Sequence, residues 1–353
     1  MESKELDWLF VGMLVFVPIA IGASAFGVSP VVVFFLCAIA VIPLAKYIGE
    51  ATEELATRTS PAFGGFLNAT FGNATELIIG IFALNAGLIE LVKASVTGSV
   101  ISNLLLVLGF AMLAGGSKHK KQEFNRTAVL AAGSTLFLAV IAIIIPAIFS
   151  ETAPNIGSGV VENLSLWVSG VLILVYIGSL FFTMYTHKHL YVEEVGKYEP
   201  KWSLRRSLLI LGASTVAVAW VSSILVDSVT PLVSTLGWSQ LFVGVIFVAI
   251  IGNAAEHVSA VQTALKNRMD LSLQISIGSA TQIAMLVAPV LVFASLLLGH
   301  PMSLIFNTFE LIAMVLSVVI VNFVVTDGES NWFEGMQLLA AYAIMAIAFF
   351  LHP

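Results

Sequence analysis

The sequence predicts an all-α integral membrane protein of eleven transmembrane helices, one extra N-terminal helix followed by two inverted five-helix repeats. Three observations carry that expectation. Charged residues make up 10% of the chain and hydrophobic residues 59%, against roughly 25% charged in a soluble globular domain. Eleven mostly apolar runs are long enough to cross a bilayer, which takes about 20 residues each. The motif Gly72-Asn73-Ala74-Thr75-Glu76 returns 180 positions later as Gly252-Asn253-Ala254-Ala255-Glu256.

The elements follow in order. The N-terminus opens on the polar, acidic MESKELD and turns apolar near Trp8. No small-residue cleavage site follows a basic start, so the first run reads as a retained span. The spans fall at roughly 8–26, 30–49, 62–89, 92–115, 126–149, 164–186, 205–228, 238–265, 271–298, 302–326 and 332–351. The one long polar connection, 187–204, divides the chain near its middle. The units are therefore 1–29 (the extra helix), 30–186 (the first repeat), 187–204 (a cytoplasmic linker) and 205–353 (the second repeat). Cys37 stands alone, which excludes an intrachain disulfide and fits a small buried hydrophobe. The formal net charge of -6 matters less than where the charges lie.

Basic residues favour the cytoplasmic side of a membrane. With the N-terminus inside, the inner segments hold Lys4, Lys46, Arg58, Lys118, Lys120, Lys121, Arg126, Lys188, Lys197, Lys201, Arg205, Arg206, Lys266 and Arg268. Of the 15 Lys and Arg residues only Lys93 is left outside. The C-terminus, ending Leu351-His352-Pro353, then faces outward. A shift of 180 residues lays spans 2 to 5 on spans 7 to 10 without a gap and places Gly98-Ser99 on Gly278-Ser279. Five spans per unit is odd, so the units enter from opposite sides. Inverted repeats place substrate sites near the midplane, where the units meet.

The chemistry concentrates on the repeated motif. Glu76 lies about 14 residues into its span, roughly 21 Å at 1.5 Å per residue, and Glu256 lies at the matching depth. A carboxylate at that depth is costly and marks a functional site by default. Gly72-Asn73 and Gly252-Asn253 weaken the helix one turn earlier, and local unwinding there would free carbonyl oxygens toward an ion. The facing spans add Thr97, Ser99, Ser102 and Asn103, then Ser276, Ser279, Thr281 and Gln282. This oxygen-rich, thiol-free set suits a hard cation such as Ca²⁺. Two glutamates neutralise one divalent ion. Two protons do the same, because desolvation favours an uncharged carboxyl. A site neutral with either occupant but charged when empty is the physical basis of antiport.

Other polar residues give weaker signals. His257 follows Glu256 and either relays protons or packs helices. Glu310 lies inside span 10, where its repeat position is Leu130, so a role in proton coupling is asymmetric. Glu50, Glu53 and Glu54 read as a solvated helix end, Asp227 as the outer end of span 7, and Glu193-Glu194 as surface. Gly64-Gly65 and Gly115-Gly116 read as packing or turn positions.

These residues carry a resemblance. GNATELIIGIFALNAGLIELVKASVTGSVISNLLLVLG at 72–109 resembles the first signature of the Ca²⁺/H⁺ antiporter (CAX) family. GNAAEHVSAVQTALKNRMDLSLQISIGSATQIAMLVAP at 252–289 resembles the second, and DGESNWFEG at 327–335 is similar to that family's last loop and final helix. The resemblance spans nearly the whole chain. It implies the cation/Ca²⁺ exchanger fold and alternating access, with Glu76 and Glu256 as shared Ca²⁺ and proton carriers. It implies nearby ligands or hydrogen-bond partners at Asn73, Asn103, Asn253, Ser279 and Gln282, beside Ser99. The chain departs from eukaryotic vacuolar relatives in having only about seven residues before span 1, and looks more like a bacterial plasma-membrane member.

The expected function is export of cytoplasmic Ca²⁺ in exchange for external H⁺, by a secondary transporter of the cell membrane rather than an enzyme. No resident cofactor is expected beyond the transported ions. The expected partners are Ca²⁺, H⁺ and the lipid bilayer, not nucleic acid; monomer and homo-oligomer both stay open. The rivals are a Na⁺/Ca²⁺ exchanger, whose motif typically carries proline before the glutamate, and a passive divalent-cation channel. Glu256-His257 is not a zinc-binding HExxH helix, which argues against a metalloenzyme.

Overall fold

The computed structural model describes residues 3–59, 61–153, 155, 157–187 and 200–352. Most of the expected linker, with Lys188, Glu193, Glu194, Lys197 and Glu199, lies outside the described residues, as does Pro353. The chain is built of helices joined by short connections. α1 (Ser3–Met13) and α2 (Phe16–Ala25) make one apolar span that starts at Asp7. α3 (Pro30–Ala56) opens on Pro30, whose missing N–H costs nothing at the first helical position. α4 (Pro61–Phe71) and α5 (Ala74–Asn85) are separated at Gly72-Asn73. α6 (Ile89–Lys118) is continuous but carries a π-helical turn at Ser102–Val107.

α7 (Arg126–Thr152) is capped by the Asn125 side chain, which accepts from the Ala128 N–H at 3.2 Å. α8 runs Gly159–Thr186. α9 (Leu204–Leu236) starts on Ser203 and ends on Gly237, whose φ of 69° is the left-handed stop that glycine adopts without penalty. α10 (Gln240–Gly252) and α11 (Ala254–Leu265) meet at a bend of 58°. α12 (Met269–Leu297) carries a π-helical turn at Ile283–Val287. α13 (Thr308–Val324) and α14 (Trp332–Leu351) each open on a capping box, Asn307 with Glu310 and Asn331 with Glu334. Among the described residues eight helices are long and apolar enough to cross a membrane, nine if the bent α10–α11 pair is one span.

Three expectations need correction. The run expected at 302–326 becomes helical only at Thr308, because the Asn307 side chain accepts the Glu310 N–H at 2.8 Å and starts the helix there. Glu310 is therefore in a first turn, not deep in a span. The helix expected to close near Asp227 continues to Leu236, although Asp227 is exposed as expected. Glu54 is not a solvated end residue but is only 3% exposed. Its carboxylate accepts the backbone N–H groups of Lys201 (3.1 Å) and Trp202 (3.0 Å), tying the end of α3 to the approach to α9.

α3 and α9 pack along their length. α6 is the most thoroughly buried of the long helices, wrapped by α10, α12, α13 and α14. Phe34, Phe35 and Phe247 meet edge to face across α3 and α10, and Trp238 stacks on Phe247. The basic end is stapled by a two-stranded sheet, β1 (Gln122–Glu123) antiparallel to β2 (Glu329–Ser330). There Lys121 pairs with Glu329 at 2.5 Å and Glu123 at 3.2 Å, and the Gln122 side chain donates to the Ala264 carbonyl at 2.8 Å. Cys37 is buried in α3.

Candidate functional site

Both copies of the motif interrupt a helix. Asn73 (φ -107°, ψ 26°) and Asn253 (φ -89°, ψ 16°) leave helical geometry, and a new helix begins at the next residue. Each glutamate thereby becomes the third residue of a short helix, Glu76 in α5 and Glu256 in α11. The positive end of a helix dipole favours a carboxylate there, which an uninterrupted helix would not offer. Glu76 lies across the break in the other copy: a Cβ added at Gly252 would stand 2.9 Å from Glu76 Cγ. Only glycine lets the two motifs come this close.

The asparagines bind across the repeats. Asn73 Nδ2 donates to Gln282 Oε1 at 2.5 Å. Asn253 Nδ2 donates to Ser99 Oγ at 2.9 Å and to the Ala249 carbonyl at 2.7 Å. Asn103 Nδ2 donates to Asn253 Oδ1 at 2.6 Å and Ser279 Oγ at 3.0 Å. Ser102 Oγ and His257 Nε2 lie 3.2 Å apart. These bonds consume amide donors and leave acceptors. Asn73 Oδ1, Asn103 Oδ1, both carboxylate oxygens of Glu76 and Glu256 Oε2 are buried without a hydrogen-bond partner. Buried oxygens are rarely left this way, because each costs about 1–3 kcal/mol. Five of them on the residues singled out by the repeat fit a hard cation that takes oxygen ligands. Among the described residues no three His, Cys, Asp or Glu side chains group as a metal cluster.

Not every expected residue joins. Thr97 Oγ1 instead donates to Glu310 Oε1 at 3.1 Å, while Glu310 Oε2 accepts the Asn307 N–H at 3.0 Å. Both Glu310 oxygens are thus engaged at the start of α13. Ser276 and Thr281 bond back to the carbonyls of Ser272 and Ile277 in their own helix. Among the described residues, His257 pairs with Ser102, and neither is hydrogen-bonded to the asparagine network.

Access to the network is unequal. A cavity of about 800 Å³ opens between α7, α8 and α12, lined by Thr135, Tyr176, Ser179, Thr183, Gly278 and Gln282 among others. These residues lie in the half of each helix nearer the basic connections. Tyr176 was not visible as a site residue in the sequence, because the 180-residue shift carries it beyond the chain end. A separate small space of about 10 Å³ lies beside Glu76, Ser95 and Ser99.

The fold and site define a multi-span membrane transporter rather than an enzyme. The family model for sodium/calcium exchanger proteins matches residues 29–185 and again 206–351, and the chain belongs to that family. It is 46% identical to the Ca(2+)/H(+) antiporter of Aphanothece halophytica, over 98% of this chain and 97% of that one. It is also 46% identical to the Ca(2+)/H(+) antiporter ChaA of Bacillus subtilis, over 95% and 96%. The solved structure of native YfkE superposes with a TM-score of 0.87 at 43% identity, covering 97% of this chain and all of that one.

Proposed function

We propose that the protein exchanges cytoplasmic Ca²⁺ for external H⁺ by alternating access, with Glu76 and Glu256 carrying Ca²⁺ or protons in turn. The observation that carries this reading is the set of five partnerless buried oxygens on Asn73, Glu76, Asn103 and Glu256, between helix breaks that recur at 180 residues. Two carboxylates balance one Ca²⁺ or two protons. The empty site would leave a double negative charge at membrane depth, which is costly, so reorientation is favoured only with an occupant. The amide donors, held across the repeats, keep oxygen rather than N–H directed at the ion. No resident cofactor enters the scheme. The cavity on the basic side, which Gln282 lines, supports access to the site from that side.

The finer architecture we propose is eleven spans, one extra N-terminal helix and two inverted five-helix repeats, divided at the linker 187–204. Its support is the pair of breaks at Asn73 and Asn253, the π-helical turns near 102 and 283, and the two separate matches to one family model. The basic-residue distribution orients the N-terminus to the cytoplasm and the C-terminus outward, in the cell membrane.

The test is ΔpH-driven Ca²⁺ uptake into inside-out vesicles. Glu76→Gln and Glu256→Gln should each abolish uptake while the protein still folds. Normal uptake by either variant would refute the two-carboxylate mechanism. Replacing the pH gradient with a Na⁺ gradient should give no uptake; Na⁺-driven uptake would instead make the chain a Na⁺/Ca²⁺ exchanger. Ca²⁺ passage without counter-moving protons would make it a channel.

A further inference from the structure

Gly98 and Gly278 are equivalent under the 180-residue shift, and each precedes a serine of the hydrogen-bonded network. Their surroundings are opposite. At Gly98, α6 touches the backbone of α10: an added Cβ would overlap Val245. The same contact brings Gly244 against Ala94, where an added Cβ would lie 2.5 Å from the alanine Cβ and 3.0 Å from the Leu91 carbonyl. At Gly278 no described residue lies within 4 Å of the Cβ position, and the residue lines the large cavity. The shift carries Gly244 onto Gly64 and Val245 onto Gly65, both in α4. Gly64 is turned elsewhere, its Cβ position 2.8 Å from the Ala56 carbonyl. Among the described residues, one of the two equivalent glycines is in close backbone contact and the other is not. The contact made lies near the small space at Ser95 and Ser99, and Gly278 borders the cavity.

A glycine inside a helix weakens it relative to alanine. At Gly98 the close backbone approach compensates, as small residues do at membrane helix interfaces. At Gly278 no contact compensates in the state described. We infer that Gly278 is a positioning residue of the transport cycle, resting on the inverted-repeat and exchange reading above. In the oppositely facing state α4 closes on α12, and Gly278 makes the backbone contact that Gly98 makes here. The two glycines are then alternating seats: whichever is occupied seals its side of the membrane. A methyl group at 278 leaves the present state untouched and blocks the other.

The experiment uses the full chain, purified and reconstituted. Gly278→Ala should keep the wild-type thermal midpoint in detergent and bind ⁴⁵Ca²⁺ within about twofold of wild type, while proton-coupled Ca²⁺ exchange falls by about tenfold or more, because overpacking penalises one state alone. Gly212→Ala, equally free of neighbours within 4 Å but mapping onto Val32, should exchange normally. Thr183→Cys in the cavity wall, in a Cys37→Ala background, reads opening directly. Gly278→Ala should raise its labelling by an impermeant maleimide to a ceiling that no longer responds to pH or Ca²⁺. Wild-type exchange by Gly278→Ala, loss of Ca²⁺ binding, or unchanged labelling would each overturn the inference. Failure of the unsubstituted protein to couple Ca²⁺ to protons counts against the exchange reading alone, because the labelling comparison does not depend on which ion is carried.

Discussion

Asn103 shows how a single side chain sets the chemistry of the site. Its Nδ2 is shared between Asn253 and Ser279, which fixes the amide so that Oδ1 remains as a buried acceptor. Asn103→Leu should therefore do two things. It should lower the thermal midpoint, because two buried acceptors lose their donor at about 1–3 kcal/mol each. It should also weaken Ca²⁺ binding by about tenfold, the effect of about 1.4 kcal/mol in an equilibrium constant, as read by titration of detergent-solubilised protein. A variant that loses stability but binds Ca²⁺ normally would make Asn103 a packing residue only. Asn103 itself could be nominated from the sequence, as a polar residue in an apolar run near a repeated motif. Asn253 and Ser279 were nominated beside it, but not the bonds that join them to it, since they lie 150 and 176 residues away.

At the scale of the element, the same amino-acid type acts differently according to where its helix begins. Glu76, Glu256 and Glu310 are all third residues of helices. Glu310 closes a capping box and accepts from Thr97, whereas both Glu76 oxygens have no partner. Glu310→Ala should destabilise the start of α13 by about 1 kcal/mol, the usual worth of a cap, seen as a lower thermal midpoint. Glu310→Gln, which still offers an acceptor oxygen, should leave the pH profile of transport where it was; a displaced profile would assign Glu310 to the proton path. The run 302–326 looked like one more span by composition alone. Asn307 limits its helix to Thr308–Val324, because hydropathy reports apolar length and not where a side chain first satisfies the N–H groups of a helix. Gly72-Asn73 and Gly252-Asn253, by contrast, were legible as breaks, since weak helix formers inside an apolar run leave few other roles.

For the whole molecule, the proposed exchange is a competition between protons and Ca²⁺ for one buried charge pair. Metal binding to carboxylates releases their protons. In acid, where both carboxyls are protonated before Ca²⁺ binds, log K for Ca²⁺ should rise with pH at a slope approaching about 2, one per carboxylate. Glu256→Gln should reduce the slope to about 1 in whatever residual binding survives. A wild-type slope above 2 would bring in a further titrating group, with His257, linked to Ser102, the nearest candidate.

By itself the sequence determined the class and most of the apolar runs, and it singled out the two glutamates of the repeated motif. Those follow from local and periodic facts: apolar length, the placement of Lys and Arg, and a motif repeated at 180 residues. It also determined the helix breaks, because glycine and asparagine act on their own turn. Only the tertiary structure decided which of the oxygens around the motifs are spent and which are free. Thr97, Ser276 and Thr281 stood beside Ser99 and Ser279 as oxygens of the facing spans until the family resemblance favoured the last two, and in the structure the difference lies in partners from distant segments or from the preceding turn. The burial of Glu54, the place of Tyr176 in the cavity wall and the unequal neighbours of Gly98 and Gly278 belong to the same category. A repeat makes two halves equivalent in sequence, but packing can satisfy only one of two mutually exclusive contacts at a time, and that choice is made in three dimensions.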